Sequence, residues 1–188
     1  MAKRAIKAVV VKEPLRLDLG CGKNKQVGFV GVDSIKFDGV DLVHDLRQKW
    51  PWGDDSVEQV HCSHFLEHLT PQERIHFANE LCRVLRKGGT ANLATPYSGH
   101  DCAYGDPTHQ WPPVSGWTYL YWNKDWRKAQ APHTDNEFNP HGFTCDFDYT
   151  IGGSWEQWLQ TRNMEYRVFA MQHYINAQRD VVVTLTKK

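Results

Sequence analysis

The sequence predicts an α/β domain built on a mostly parallel sheet, and three observations carry that prediction. Leu15 to Leu19 runs into Gly20-Cys21-Gly22 and then into Val30-Gly31-Val32-Asp33, a strand, a glycine turn and a second strand with an acid at its tip. Val57 to Cys62 and Thr90 to Ala94 are two short apolar strand patterns separated by a helical one that starts at Pro71. A further apolar strand, Val181 to Thr186, closes the chain.

Leu15–Leu19 and 29–32 are the first two strands, and 41–44 is a short third. The connection 23–28 is shorter than the dozen or so residues a parallel crossover normally needs, so a clipped helix or a loop is expected there. The cluster Trp50-Pro51-Trp52-Gly53-Asp54-Asp55-Ser56 is a turn, and 57–62 is the fourth strand. Thr70-Pro71-Gln72-Glu73 starts a helix with a hydroxyl cap, a proline at the first helical position and a glutamate as third residue after the cap. Ile75, Phe77, Ala78, Leu81, Cys82, Val84 and Leu85 then follow a 3.6-residue period, and Gly88-Gly89 is expected to end it. Residues 90–94 form the fifth strand and lead into Thr95-Pro96-Tyr97.

From Ser98 to Thr150 the composition turns aromatic, with Tyr104, Trp111, Trp117, Tyr119, Trp122, Trp126 and Phe138 among histidines such as His109, His133 and His141. So many aromatics argue for an ordered elaboration between the fifth and sixth strands, not for disorder. Trp155, Trp158 and Leu159 suggest an amphipathic helix, and 167–174 with 181–186 suggest two strands joined as a hairpin through 176–179.

A chain of 188 residues fits one domain, taken here as 1–188 with 98–150 as an aromatic-rich lid and acceptor-binding elaboration. Lys plus Arg and Asp plus Glu are 22 each, so no global charge draws the protein to nucleic acid. Five scattered cysteines without a C-x-x-C pair suit a reducing compartment. The N-terminal run Val9-Val10-Val11 is too brief for a signal sequence, and no apolar run approaches a membrane span, so a cytoplasmic protein is expected.

The glycine turn is followed by Lys23-Asn24-Lys25 and lacks the third glycine of a dinucleotide fingerprint. A pyrophosphate cradle is therefore poorly supported, whereas Asp33 can accept hydrogen bonds from a ribose diol. Together with Val43-His44-Asp45-Leu46, Ser63-His64-Phe65-Leu66-Glu67-His68-Leu69 and Arg83-Val84-Leu85-Arg86-Lys87-Gly88-Gly89, this turn resembles the class I S-adenosylmethionine-dependent methyltransferases, in particular the small UbiE-like or type 11 domains. The resemblance covers about Leu15 to Tyr97.

It implies a Rossmann-like, seven-stranded, mostly parallel sheet with helices on both faces and an antiparallel C-terminal strand between the fifth and sixth. It also implies adenosylmethionine as cofactor. Asp18 with the Gly20, Cys21 and Gly22 backbone would lie against the methionine portion, and Asp33 with the neighbouring Ser34 at the ribose. Asp45 and Leu46 would sit at the adenine edge, and His64 would line the cofactor and acceptor pocket.

Methyl transfer rests largely on alignment and desolvation, so a dedicated base is optional. Where the acceptor is a hydroxyl, His109 within Gly105-Asp106-Pro107-Thr108-His109 is the candidate base, with Asp106 to orient it. The competing reading is a proline turn with a structural histidine. His64-Phe65-Leu66-Glu67-His68 also spells H-x-x-E-H, a zinc-hydrolase signature. That motif needs a continuous helix, whereas here it follows a buried strand and precedes a proline-started helix, so no metal ligand is assigned.

Lys124, Arg127 and Lys128 among Trp122 and Trp126 offer a small basic, stacking surface. Balanced charge and the aromatic elaboration nonetheless favour a small-molecule acceptor methylated on oxygen or nitrogen. A nucleic-acid methyltransferase and a non-catalytic adenosylmethionine binder are the alternatives, and a zinc hydrolase the third.

Overall fold

The computed structural model describes residues 14–134 and 142–188. Phe138, His141 and the Val9-Val10-Val11 run lie outside the described residues. Seven strands form one sheet: β1 (Leu15–Leu19), β2 (Val30–Asp33), β3 (Leu42–Val43), β4 (Val57–Ser63), β5 (Leu85–Pro96), β6 (Phe147–Trp155) and β7 (Gln178–Lys187). Their order is β3-β2-β1-β4-β5-β7-β6. β1 to β5 pair in parallel, and β7 runs antiparallel between β5 and β6. This is the Rossmann-like sheet the sequence led us to expect, with its antiparallel C-terminal strand in the expected place.

Among the described residues five helices lie around it: α1 (Pro71–Val84), α2 (Cys102–Gly105), α3 (Gly116–Leu120), α4 (Lys124–Gln130) and α5 (Met164–His173). The expected capping box starts α1: the Thr70 side chain accepts the Glu73 N–H, and the Glu73 carboxylate accepts the Thr70 N–H at 2.8 Å. Neither crossover from β1 to β2 nor from β2 to β3 contains a helix. In the first, residues 23–28 form a plain loop, closed where the Gln26 N–H donates to the Asp18 carboxylate at 2.6 Å.

Three expectations need correction. α1 ends at Val84, before Gly88-Gly89, because Leu85 turns extended and buries its side chain completely while pairing with Val57. Residues 86–89 then loop out before the ladder resumes at Gln59 and Thr90, with Gly88 at φ +72°. Second, 167–173 is helical and Tyr174 is the extended C-cap of α5. Asn163 caps α5 by accepting the Tyr166 N–H, and the partner of β7 is instead 147–155, in register from Phe147 opposite Lys187 to Trp155 opposite Gln178. Third, Trp155 ends β6, and the helix expected over Trp158 and Leu159 is a single 3₁₀ turn, Gln157–Leu159. Short apolar runs with one buried position per turn do not separate strand from helix by pattern alone.

The main core joins Leu17, Leu19, Val60, Cys62, Leu93, Val183 and Leu185 of the sheet to Phe77, Leu81 and Val84 of α1. The 98–150 segment contributes to it directly. Tyr119, Trp122 and Val114 are buried in that same core, with the Trp122 ring 6.4 Å from Phe77. Arg127 is buried as well and donates to the carbonyls of Tyr121 and Cys145 at 2.8 and 3.0 Å. Its charge therefore faces inward and does not extend a basic surface from Lys124 and Lys128. Trp111 and Trp117 are exposed. No helix among the described residues is long and apolar enough to cross a membrane.

Candidate active site

Parallel strands end on one edge of the sheet, and open α/β sheets bind ligands outside that edge. β1 ends there in the glycine turn. Gly20 and Gly22 take φ +69° and +51°, and the Gly20 and Cys21 N–H groups both donate to the Val32 carbonyl, at 2.8 and 3.2 Å. The Asp33 carboxylate at the end of β2 accepts the Gly22 N–H at 2.9 Å and the Ile35 N–H at 3.0 Å, one on each oxygen. Each oxygen keeps a further lone pair for a ligand. Asp18, at the other side of the turn, is buried, and burial pushes its carboxyl above the ordinary carboxylate range against the opposing pull of the Gln26 N–H.

Three cavities line this edge in sequence. The first, about 200 Å³, is bordered by Ser34, His44, Asp45, Leu46, Arg47 and Phe65. Here Asp45 forms a bidentate pair with Arg47, at 2.8 and 3.0 Å, which holds its carboxyl below the usual range. The second, about 290 Å³, is bordered by Asp18, Gly20, Cys21, Gly22, His61 and His64. The Phe65 ring, which borders the first, packs on Gly20, where an added Cβ would meet it at 2.6 Å.

The third and largest cavity, about 750 Å³, is bordered by His64, Asp101, Asp106, His109, Arg179 and Asp180. His64 thus belongs to both the glycine-turn cavity and this one. It sits at φ +54°, outside any helix, which breaks the continuous helix that the H-x-x-E-H reading requires. Its Nδ1 lies 3.2 Å from Glu67 and its Nε2 3.7 Å from Asp180, and the proximity of Glu67 above all raises its pKa against the effect of burial. His109 Nε2 is 3.8 Å from the Asp106 carboxylate, so the two residues singled out in the 105–109 turn do meet, on the wall of the same cavity.

From sequence, two residues here have no cofactor or acceptor role, and Glu67 is singled out only as the glutamate of the H-x-x-E-H spelling. Asp180 stands at the beginning of β7, and an antiparallel strand between β5 and β6 necessarily starts at the edge where the parallel strands end. That position was implicit in the expected topology. Glu67 is an acid inside the apolar run from Phe65 to Leu69, and it is 3 % exposed. Its carboxylate lies with donor atoms of His68 and His109 within 4.8 Å of one another.

A methyltransferase-domain family model matches residues 32–93, the stretch holding the tip of β2, Asp45, His64 and the α1–β5 junction. Over this third of the chain the sequence is similar to that methyltransferase domain. Solved structures, S-adenosylmethionine-dependent methyltransferases among them, share the fold of this chain. One is a SAM-dependent methyltransferase from Archaeoglobus fulgidus, 20% identical, covering 94% of this chain and 87% of that one at a TM-score of 0.63. Another is YcgJ from Bacillus subtilis, 14% identical over 94% and 92% of the two chains at a TM-score of 0.53. A third is geranyl diphosphate C-methyltransferase from Streptomyces coelicolor, solved with S-adenosyl-L-homocysteine, 14% identical over 94% and 71% at 0.50. A search of curated protein sequences finds no match.

Proposed function

We propose that the chain is an S-adenosylmethionine-dependent methyltransferase acting on an oxygen or nitrogen of a small-molecule acceptor bound in the 750 Å³ cavity, with the cofactor held along the glycine turn. The observation that carries this reading is His64, which borders both cavities and so marks where cofactor and acceptor would meet. Adenosylmethionine, when bound, supplies an electrophilic methyl group.

The residues present fit that cofactor. Asp18 and the Gly20, Cys21 and Gly22 backbone surround the space for its methionine end, and Asp33 retains free lone pairs for the ribose hydroxyls next to Ser34. At the adenine end the pairing of Asp45 with Arg47 leaves base recognition to the backbone around Leu46 and to the Phe65 ring. A cofactor reaching from one small cavity to the other passes Phe65.

On the acceptor side, His64 and His109 are the side chains able to take a proton from an attacking hydroxyl or ammonium group. His109 is held through Nδ1 on the Ala103 carbonyl with Asp106 3.8 Å from its Nε2, while Glu67 and Asp180 lie 3.2 and 3.7 Å from the two nitrogens of His64. The wall carries three carboxylates, Asp101, Asp106 and Asp180, against the single guanidinium of Arg179. That balance disfavours a phosphate backbone and favours a neutral or cationic small molecule.

Incubation with methyl-labelled adenosylmethionine and fractionated cell extract tests the proposal. Label is expected in the small-molecule fraction. Label in RNA or DNA would overturn the acceptor class, and cofactor binding without transfer to any fraction would leave a binder in place of an enzyme.

A further inference from the structure

We infer that Glu67, His68 and His109 form a binding site for one divalent first-row transition-metal ion, between the large cavity that His109 borders and the first cavity that His68 borders. The site requires neither the proposed acceptor nor methyl transfer.

The carboxylate of Glu67 is the first observation. It is 3 % exposed, and neither oxygen makes a hydrogen bond within the described residues. His64 Nδ1, 3.2 Å from Oε1, is near enough for an ion pair but outside hydrogen-bond geometry. A carboxylate taken out of water costs several kcal/mol unless a cation and well-directed partners compensate it. Glu67 has the burial with the His64 ion pair but no hydrogen bond among the described residues to offset it.

The second observation is the tautomer imposed on each imidazole. The Thr108 hydroxyl has one proton and donates it to Asp106 at 2.7 Å, so toward His68 Nδ1, 3.0 Å away, it can only accept. The proton of neutral His68 is therefore on Nδ1, and Nε2 presents its lone pair. His109 Nδ1 faces the Ala103 carbonyl at 3.3 Å, and a carbonyl also only accepts, so His109 Nε2 likewise presents a lone pair. That lone pair stands 3.8 Å from the Asp106 carboxylate, two acceptors facing each other with space for a cation. Hydrogen bonds that fix the far nitrogen of a ligating imidazole are the usual support of metal-binding histidines.

The third observation is convergence. Ligand atoms of the three residues lie within 4.8 Å of one another, although His109 is far from the other two in sequence. Coordination at about 2.1 Å places tetrahedral neighbours about 3.4 Å apart, so side-chain adjustments of about an ångström complete the site. The Gln110 N–H already donates to the Glu67 carbonyl at 2.8 Å, and Arg74 donates to the carbonyls of Leu66, Pro112 and Gln110, which holds the two segments together. Two imidazoles and one carboxylate select zinc or a neighbouring transition ion over magnesium and calcium, which prefer all-oxygen sites. This set differs from the H-x-x-E-H spelling in the sequence, because His64 is replaced by His109.

The test is titration of metal-stripped, untagged full-length protein with Zn²⁺ against a chromophoric chelator, together with Co²⁺ absorption spectra. One equivalent should bind. His68→Asn and His109→Asn should each weaken binding by at least about 100-fold, Thr108→Val by about 10-fold, and His64→Ala, which removes a cation competing for Glu67, should not weaken it. Glu67→Gln should match the histidine variants, and near-UV circular dichroism identifies any variant that has lost its fold. Absence of stoichiometric binding, affinity indifferent to His68 and His109, equal loss in His64→Ala, or a thiolate charge-transfer band with Co²⁺ would each overturn the site.

Discussion

The Gly22 amide donates to the Asp33 carboxylate at 2.9 Å, joining the glycine turn after β1 to the tip of β2. One carboxylate thus shapes the turn and faces the ligand edge of the sheet. Asp33→Ala removes a charged acceptor from both tasks, and charge-assisted hydrogen bonds contribute about 1.5–3 kcal/mol each. Calorimetric titration should show adenosylmethionine affinity lowered by about 10- to 100-fold. An unchanged isotherm would remove Asp33 from the cofactor site.

The two turn glycines should differ. Both have positive φ, but a Cβ on Gly20 would meet the Phe65 ring at 2.6 Å, whereas nothing lies within 4 Å of one on Gly22. Gly22→Ala should cost about 1–2 kcal/mol of stability from backbone conformation alone. Gly20→Ala adds overpacking and should cost about 3 kcal/mol or more. Denaturant midpoints measured side by side decide this, and equal losses would contradict the packing of Phe65 on Gly20.

In metal-free protein, where the Nε2 lone pair of His109 is free, His109→Ala should lower methyl transfer by about 100-fold, the order expected for loss of a positioned base, with little change in cofactor affinity. The measurement pairs single-turnover rates on the labelled extract fraction with cofactor titration. Equal loss of both would make His109 a structural residue.

Glu80 links α1 to the Trp50 turn, accepting the Trp50 N–H at 2.7 Å and hydrogen bonds from Arg83 Nε and Nη2, each at 2.7 Å. The Arg83 contact, with the Trp50 N–H, holds its carboxyl below the ordinary value of 4.5 despite partial burial. Because the folded value is the lower one, the stabilisation is fully present above about pH 4.5 and is lost as pH falls through the folded value. Glu80→Gln should cost about 1–2 kcal/mol at pH 7 by chemical denaturation, and the gap from the parent protein should narrow below pH 4.5. A gap constant down to pH 3 would contradict the pairing.

Trp122→Ala should destabilise the protein by about 3–5 kcal/mol, since Trp122 is buried against Phe77, Tyr119 and Phe147. A loss below 1 kcal/mol in thermal or denaturant unfolding would return this ring to a peripheral lid.

What the sequence determined by itself is the half of the chain where local rules act alone. Glycines at turns, alternating strands and the Thr70 to Glu73 box placed β1 to β5 and the start of α1, because backbone freedom, burial period and capping are properties of neighbouring residues. The ordering of the C-terminal strands followed from the family resemblance. Tertiary structure alone decided that 147–155 and not 167–174 pairs with β7, since both runs suit a strand and only the competition for the β7 edge separates them. It also decided the site. Asp180 reaches His64 through the antiparallel return of β7, and His109 reaches Glu67 and His68 through the folding of 98–134 onto the sheet, contacts between residues whose separation along the chain carries no local signal.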